Sequence, residues 1–157
     1  MAVTKAAIRG ITLEQASTII DVALAEARKR NLRPMTIGVL DGGGDLVAFK
    51  REDHTGIRRY DVAFGKAYGA LVMNRSTRAI GEVARTGPMF IQAMMAATGG
   101  RIIPSPGGVL IKNAEGLIIG AVGASGDQAH EDEAVAILGI RAAGLAAEPE
   151  EPGPPTH

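Results

Sequence analysis

Apolar residues recur every three or four positions at Leu13, Ala16, Ile20, Leu24 and Ala27, the stripe of one amphipathic helix. Ahead of it, Thr12-Leu13-Glu14-Gln15 has the form of a capping box, with Thr12 accepting from the Gln15 amide and Gln15 reaching back. Arg28, Lys29 and Arg30 sit where cations complement the helix dipole, and Asn31 and Pro34 stop the run. The pattern predicts a helix from Leu13 to about Arg30. Met35 to Leu40 is a short apolar run, Asp41-Gly42-Gly43-Gly44-Asp45 a turn, and Leu46 to Lys50 the return strand. Helical spacing resumes from Arg58 to Met73, with Tyr60, Ala63, Phe64, Ala67 and Leu71 on one face. Gly65 and Gly69, four apart on that helix, leave room for another element to approach closely. Ser76 to Ala84 and Pro88 to Ala97 predict two shorter helices, with Ser76 and Pro88 suited to their first positions.

Pro104-Ser105-Pro106-Gly107-Gly108 then feeds a hairpin from Val109 to Gly123 that turns at Asn113-Ala114-Glu115-Gly116. Ser125 or Asp127 is expected to cap a last helix, with Glu131, Asp132 and Glu133 favoured in its first turn by the dipole. From Ala134 to Ala147 this helix is apolar almost all round, which implies burial on more than one side. Strand, glycine turn, strand and helix thus occur at 35–73 and again at 109–147. Hairpins joined by helices imply an antiparallel sheet with helices to one side, an α+β fold. Residues 1–147 are expected to form one domain, and 148–157, with four prolines and three acids, a disordered tail.

Composition narrows the function. The 157 residues are 46% hydrophobic but include only three Phe, two Tyr and no Trp, so aliphatic side chains must fill the core. Seventeen basic residues balance seventeen acidic ones, and no global field draws the chain to nucleic acid or to an anionic membrane. A chain near its isoelectric point of 6.8 resists self-association poorly. With Phe90, Ile91, Met94 and Met95 inside Met89–Ala97, a homo-oligomer with that segment at an interface is expected. The absence of cysteine excludes disulfides, thiolate metal sites and a cysteine nucleophile. Met1 to Arg9 holds two positive charges and no apolar run of signal-peptide length, and no stretch nears the roughly 20 apolar residues of a membrane span. A soluble cytoplasmic protein is expected.

Pro106, Gly107 and Gly108 combine a stiff backbone with two residues that permit close approach, either of a ligand or of the chain itself. Ser125, Gly126 and Asp127, at a helix start, can hold an anion through free amides or simply cap the helix. His54 and His130 are candidate ligands for heme iron or a transition metal, with surface histidines as the plain alternative. His130 and Glu133 are spaced for a carboxylate-supported imidazole. Lys66 shares its stripe with Val62, Ala70 and Met73, and burial there would lower its pKa. Asp61 lies about 140° around the helix from Lys66, so the two are not a self-contained acid–base pair. Arg78, with Arg58, Arg59 and Arg75, can meet a carboxylate. The Asp41–Asp45 turn joins strand to strand, which excludes a Rossmann or P-loop reading. Three functions remain open: a small-molecule-binding module, an enzyme of catabolism using Lys66, Asp61 or His130 as acid–base groups, and a structural or regulatory subunit of an oligomer.

Six segments stand in a diagnostic order: Ile11-Thr12-Leu13-Glu14-Gln15-Ala16, Val39-Leu40-Asp41-Gly42-Gly43-Gly44, Asp61-Val62-Ala63-Phe64-Gly65-Lys66-Ala67, Pro106-Gly107-Gly108-Val109, Ile119-Gly120-Ala121-Val122-Gly123-Ala124-Ser125-Gly126 and Glu131-Asp132-Glu133-Ala134. Their spacing resembles the GlcG/HbpS family of heme-binding-like proteins, also found as the C-terminal domain of some corrinoid adenosyltransferases. The resemblance covers about Ile11 to Leu145. It implies a profilin-like α+β domain with a five-stranded antiparallel sheet, assembled into dimers or larger even-numbered oligomers. It also implies binding of heme or another carboxylate-bearing ligand, in an accessory or sensing role within a catabolic or redox-response system. A first-helix histidine that some members use for heme has no counterpart between Thr12 and Asn31.

Overall fold

In the computed structural model, residues 10–155 are described, so the expectation for Met1 to Arg9 and the last two residues of the expected tail lie outside them. Helix α1 (Leu13–Lys29) opens with the expected capping box: Gln15 N–H donates to Thr12 Oγ1 at 3.1 Å and Thr12 N–H to Gln15 Oε1 at 3.0 Å. A hairpin follows, β1 (Thr36–Asp41) and β2 (Leu46–Arg51), then three helices, α2 (Arg59–Met73), α3 (Thr77–Thr86) and α4 (Pro88–Ala97). A second hairpin, β3 (Gly108–Lys112) and β4 (Ile118–Ser125), leads to α5 (Ala129–Ala142) and a short strand, β5 (Ala146–Glu148). The strands form one antiparallel sheet in the order β2-β1-β4-β3-β5, so the α+β expectation holds.

Helices cover both faces of this sheet, not one. Ile37, Val39, Val109, Ile111 and Val122 pack against α1 and α5. Leu40, Leu110 and Ala121 pack against Ala67 and Ala70 of α2 on the opposite face. Adjacent strand residues point to opposite faces, and here both sets are apolar, so both faces need cover. α5 packs against β3, β4 and β5 and also against its neighbour α1, which accounts for its apolar circumference. Met89 and Phe90 on α4 do stay exposed, Met89 at 82%.

A row of three glycines crosses the sheet beneath α2: Gly38 on β1 pairs with Gly123 on β4, which pairs with Gly108 on β3. A Cβ at Gly123 would lie 1.8 Å from the Ala63 carbonyl oxygen, and one at Gly108 would lie 2.4 Å from that of Lys66. The backbone of α2 therefore rests directly in a trough that no side chain can share. A flank of α2 that packs toward the sheet carries an aromatic file that continues Phe49. Phe49 meets Tyr60 edge-on at 5.1 Å, Tyr60 meets Phe64 at 5.9 Å, and Phe64 stacks on Tyr68 at 5.6 Å. The Arg101 guanidinium caps the file 4.6 Å above the Tyr68 ring.

Two further expectations change. The residue before α5 is Gln128, with no side-chain cap; Ser125 instead ends β4, buried, and accepts from Arg59 Nη1 at 3.1 Å. The last helix stops at Ala142 rather than Ala147, because 146–148 are claimed by the exposed edge of β3. Lys112 and Glu148 pair across that edge. Residues 150–153 make hydrogen bonds with Arg78, Arg141 and Glu133, which prolines do not prevent. Among the described residues, no helix is long and apolar enough to cross a membrane.

Candidate functional site

Ser76 starts α3 by accepting from Ala79 N–H at 3.3 Å, and the next residue, Thr77, is fully buried. Gly108 N–H donates to Thr77 Oγ1 at 2.8 Å, pinning the start of α3 to β3. From that fixed point Arg78, Glu82 and Arg85 succeed one another at four- and three-residue steps on one face of α3. They face a cleft of about 580 Å³. Pro104, Ser105 and Pro106 wall one side, His130 and Glu133 of α5 another, and Gly153 to Pro155 a third.

Glu133 is the most unusual group in this wall. It is fully buried, its Oε2 accepts from Gly153 N–H at 2.8 Å and lies 3.4 Å from Arg78 Nη1. Its Oε1 has no hydrogen-bond partner among the described residues. Burial pushes its pKa up, against the opposing pull of the Gly153 N–H and the Arg78 charge. The folded state therefore holds a proton that the unfolded chain releases above its ordinary pKa of about 4.3. That contribution to stability is complete below about pH 4 and is lost as pH rises through the folded value. Glu133→Gln removes this dependence. In urea unfolding at a series of pH values, the stability of the variant relative to the parent should grow as pH rises, and a flat difference would contradict the assignment.

Lys66 and Asp132 form a second polar centre, beside the cleft but sealed from it. The lysine is 3% exposed. Its Nζ donates to Asp132 Oδ2 at 2.9 Å and to the Ala124 carbonyl at 2.9 Å. Asp132 Oδ1 in turn accepts from Asp127 N–H at 3.0 Å. Desolvation lowers the lysine's pKa and raises that of the aspartate, each opposed by the other's charge. The pair ties α2, on one face of the sheet, to α5 on the other, around the end of β4.

The sequence candidates divide accordingly. Pro106, Arg78 and His130 reach the cleft wall. Gly107 and Gly108 lie buried beside it, with Gly107 pressed against the ion pair: a Cβ there would sit 2.8 Å from Lys66 Nζ. Asp127 spends its carboxylate on the Arg33 and Gln128 amides, both at 2.7 Å, and the Arg33 N–H leads in holding its pKa below the usual range. Gly126 is buried against Met35. Asp61 is exposed and pairs with Arg58 at 3.3 Å, away from Lys66. His130 Nε2 lies 3.7 Å from Glu131 Oε1. His54 is exposed at a positive-φ turn, and no group of three or more metal-ligating side chains gathers among the described residues. The acid–base set of Lys66, Asp61 and His130 is therefore not brought together.

Sequence reasoning named Glu133 only as a dipole-favoured residue and a support for the His130 imidazole, and missed Arg85 and the partnership of Lys66 with Asp132. One signal for it was present. Asp132 and Glu133 continue the stripes of Val135, Ala136, Ile137 and Ile140, all buried, so two carboxylates stood on the core side of an apolar helix.

A family model described as Haem degrading protein HbpS-like matches residues 11–141. A 15.0 kDa protein in the dhaT–dhaS intergenic region of Citrobacter freundii is 30% identical over 130 residues, 82% of this chain and 89% of that one. The crystal structure of the Klebsiella pneumoniae protein ORFY superposes with a TM-score of 0.79 at 24% identity, over 92% of this chain and 97% of that one. PduOC in its complex with heme superposes with a TM-score of 0.78 at 20% identity, over 87% and 97% of the two chains. HbpS gives 0.73 at 24% identity, over 88% and 92%. These likenesses show the fold. The family match runs from the residue before the capping box to the last turn of α5, enclosing four of the five strands, the glycine trough and both polar centres, and the chain belongs to the HbpS-like family.

Proposed function

We propose that the protein binds a carboxylate-bearing small molecule, heme foremost, in the cleft between α3, α5 and the Pro104–Pro106 segment. The observation that carries this reading is the donor set of the cleft: two guanidinium groups and an imidazole set among proline walls. Proline rings offer apolar surface to a macrocycle, Arg78 and Arg85 would hold its propionates, and His130 would offer a nitrogen to its iron. When bound, heme would supply a redox-active iron to a site that has no such chemistry of its own. The chain's part is to hold the carboxylates, to exclude water with Pro104 and Pro106, and to offer the imidazole. The family membership and the heme complex of a structural relative support the same ligand class. An accessory or sensing role fits a cleft with binding groups and no assembled acid–base set.

Titrating the purified protein with hemin tests this. The parent should shift the Soret band at equimolar protein, and His130→Ala should change the position of the shifted band. Arg85→Ala should weaken binding roughly tenfold, the worth of one charge-assisted hydrogen bond of about 1.5 kcal/mol. No Soret shift in the parent would end the heme reading.

A further inference from the structure

The C-terminal segment that the sequence marks as a free tail is built into the cleft. Beyond Glu148 the chain turns back across α5, where Arg141 Nη2 donates to the Glu150 carbonyl and pairs with Glu151 Oε1 at 2.7 Å. Arg78 Nη2 then donates to the Glu151 carbonyl at 3.2 Å, and Gly153 N–H donates to Glu133 Oε2 at 2.8 Å. Gly153 lies so close to Arg78 that a Cβ would fall 2.5 Å from Nη1. The segment thus engages both Arg78 and Glu133 at the inner end of the cleft.

It satisfies them incompletely. From the segment Arg78 receives only a neutral carbonyl dipole, and Glu133 Oε2 approaches its Nη1 no closer than 3.4 Å, where a ligand carboxylate would give two charge-assisted bonds. Glu133 receives one N–H on Oε2 while Oε1, buried, has no hydrogen-bond partner among the described residues. Arg141, which anchors the segment from outside, is not part of the cleft wall.

We propose that residues 150–153 form a displaceable strap over the carboxylate subsite, and that a carboxylate-bearing ligand binds by taking Arg78 from the Glu151 carbonyl and lifting Gly153 off Glu133. This rests on the reading of the cleft as a carboxylate site, though not on heme. With the strap down, ligand meets a competent site only in the open fraction, and the apparent affinity falls by that fraction. Loosening the strap from outside the cleft therefore tightens binding.

Two measurements on the full chain test this. In the first, hydrogen exchange at the Gly153 amide is followed by NMR with and without excess sodium propionate, a carboxylate with neither iron nor macrocycle. The parent amide should be protected roughly tenfold over an unstructured peptide, a closing preference of about 1.4 kcal/mol, and propionate should abolish the protection. In Arg78→Lys, which keeps the charge but not the fork, propionate should act more weakly. An amide unprotected from the outset, or one indifferent to propionate in the parent, overturns the strap. In the second, Arg141→Ala should bind hemin roughly twofold to fivefold tighter, because an exposed pair of up to about 1 kcal/mol is removed from the closed state. Unchanged or weaker hemin binding in Arg141→Ala overturns it as well. A parent that binds no hemin refutes the heme reading alone, and the propionate response then decides the strap.

Discussion

Lys66→Met is expected to cost roughly 3–5 kcal/mol of folding stability, a large share of the roughly 5–15 kcal/mol a domain possesses. The side chain is similar in length and apolar, so packing is nearly kept; what is lost is the countercharge of Asp132. Asp132 is 1% exposed and would be left as an uncompensated carboxylate, or take a proton and lose its bonds to its neighbours. The Ala124 carbonyl would lose its lysine donor in the same step. Urea unfolding followed by circular dichroism measures the loss. The double variant Lys66→Met/Asp132→Asn should regain more than half of it, because the charge disappears while Oδ1 still accepts from Asp127 N–H. Breaking a buried pair costs more than replacing both members. A double variant as unstable as the single one would refute that account, and a single variant within about 1 kcal/mol of the parent would remove the pair's structural role.

Gly123→Ala should be nearly as damaging, at about 3 kcal/mol or more. The added methyl would fall 1.8 Å from the Ala63 carbonyl oxygen and 2.7 Å from its carbon, and neither is a side chain that can rotate away. Helix α2 would have to rise off β4, opening the interface that also sets Lys66 over Ala124. Gly38→Ala provides the internal control, because it belongs to the same cross-strand row. Its nearest contacts would be Phe49 and Leu46 side-chain atoms at 3.7 and 3.8 Å, ordinary van der Waals distances. An alanine there should cost less than about 1 kcal/mol and can stabilise by stiffening the unfolded chain. Thermal unfolding of the two variants separates the cases. Equal effects would mean that the trough does not depend on contact with the helix backbone.

Much of the fold was legible because the local signals agreed with the tertiary outcome. The Thr12 capping box, the two glycine-turn hairpins and the Ser76 and Pro88 helix starts each rest on one or two residues whose chemistry acts within a turn or two. The Gly65–Gly69 pair also did what its spacing implies, admitting Arg101 to Ile103 against α2. The misreadings share a different cause. Ser125 reads as a cap until Arg59, sixty-six residues earlier, takes its hydroxyl. Residues 146–148 read as helix until β3 offers an unpaired edge. The hydrogen bonds that Arg78, Glu133 and Arg141 make to the proline-rich end cannot be found from composition either. Likewise the sequence marked Lys66 as unusual, yet placed Asp61 beside it in the list of acid–base groups when Asp132 was the neighbour in space. The cleft was half legible: Arg78, His130 and Pro106 were named in advance, whereas Glu133 was assigned to the helix dipole and to support of His130 rather than to Arg78, and Arg85 was overlooked.

The aromatic file along α2 also determines how the molecule can be watched. Tyr60 and Tyr68 are the chain's two tyrosines, and it has no tryptophan, so the near-ultraviolet signal comes from that one face. The layer of α1 and α5, where the larger aliphatic core lies, is optically silent there. Tyrosine fluorescence therefore reports the departure of α2 from the sheet, while far-ultraviolet dichroism weighs every helix, and the two together read the opposite faces of one sheet as separate clocks.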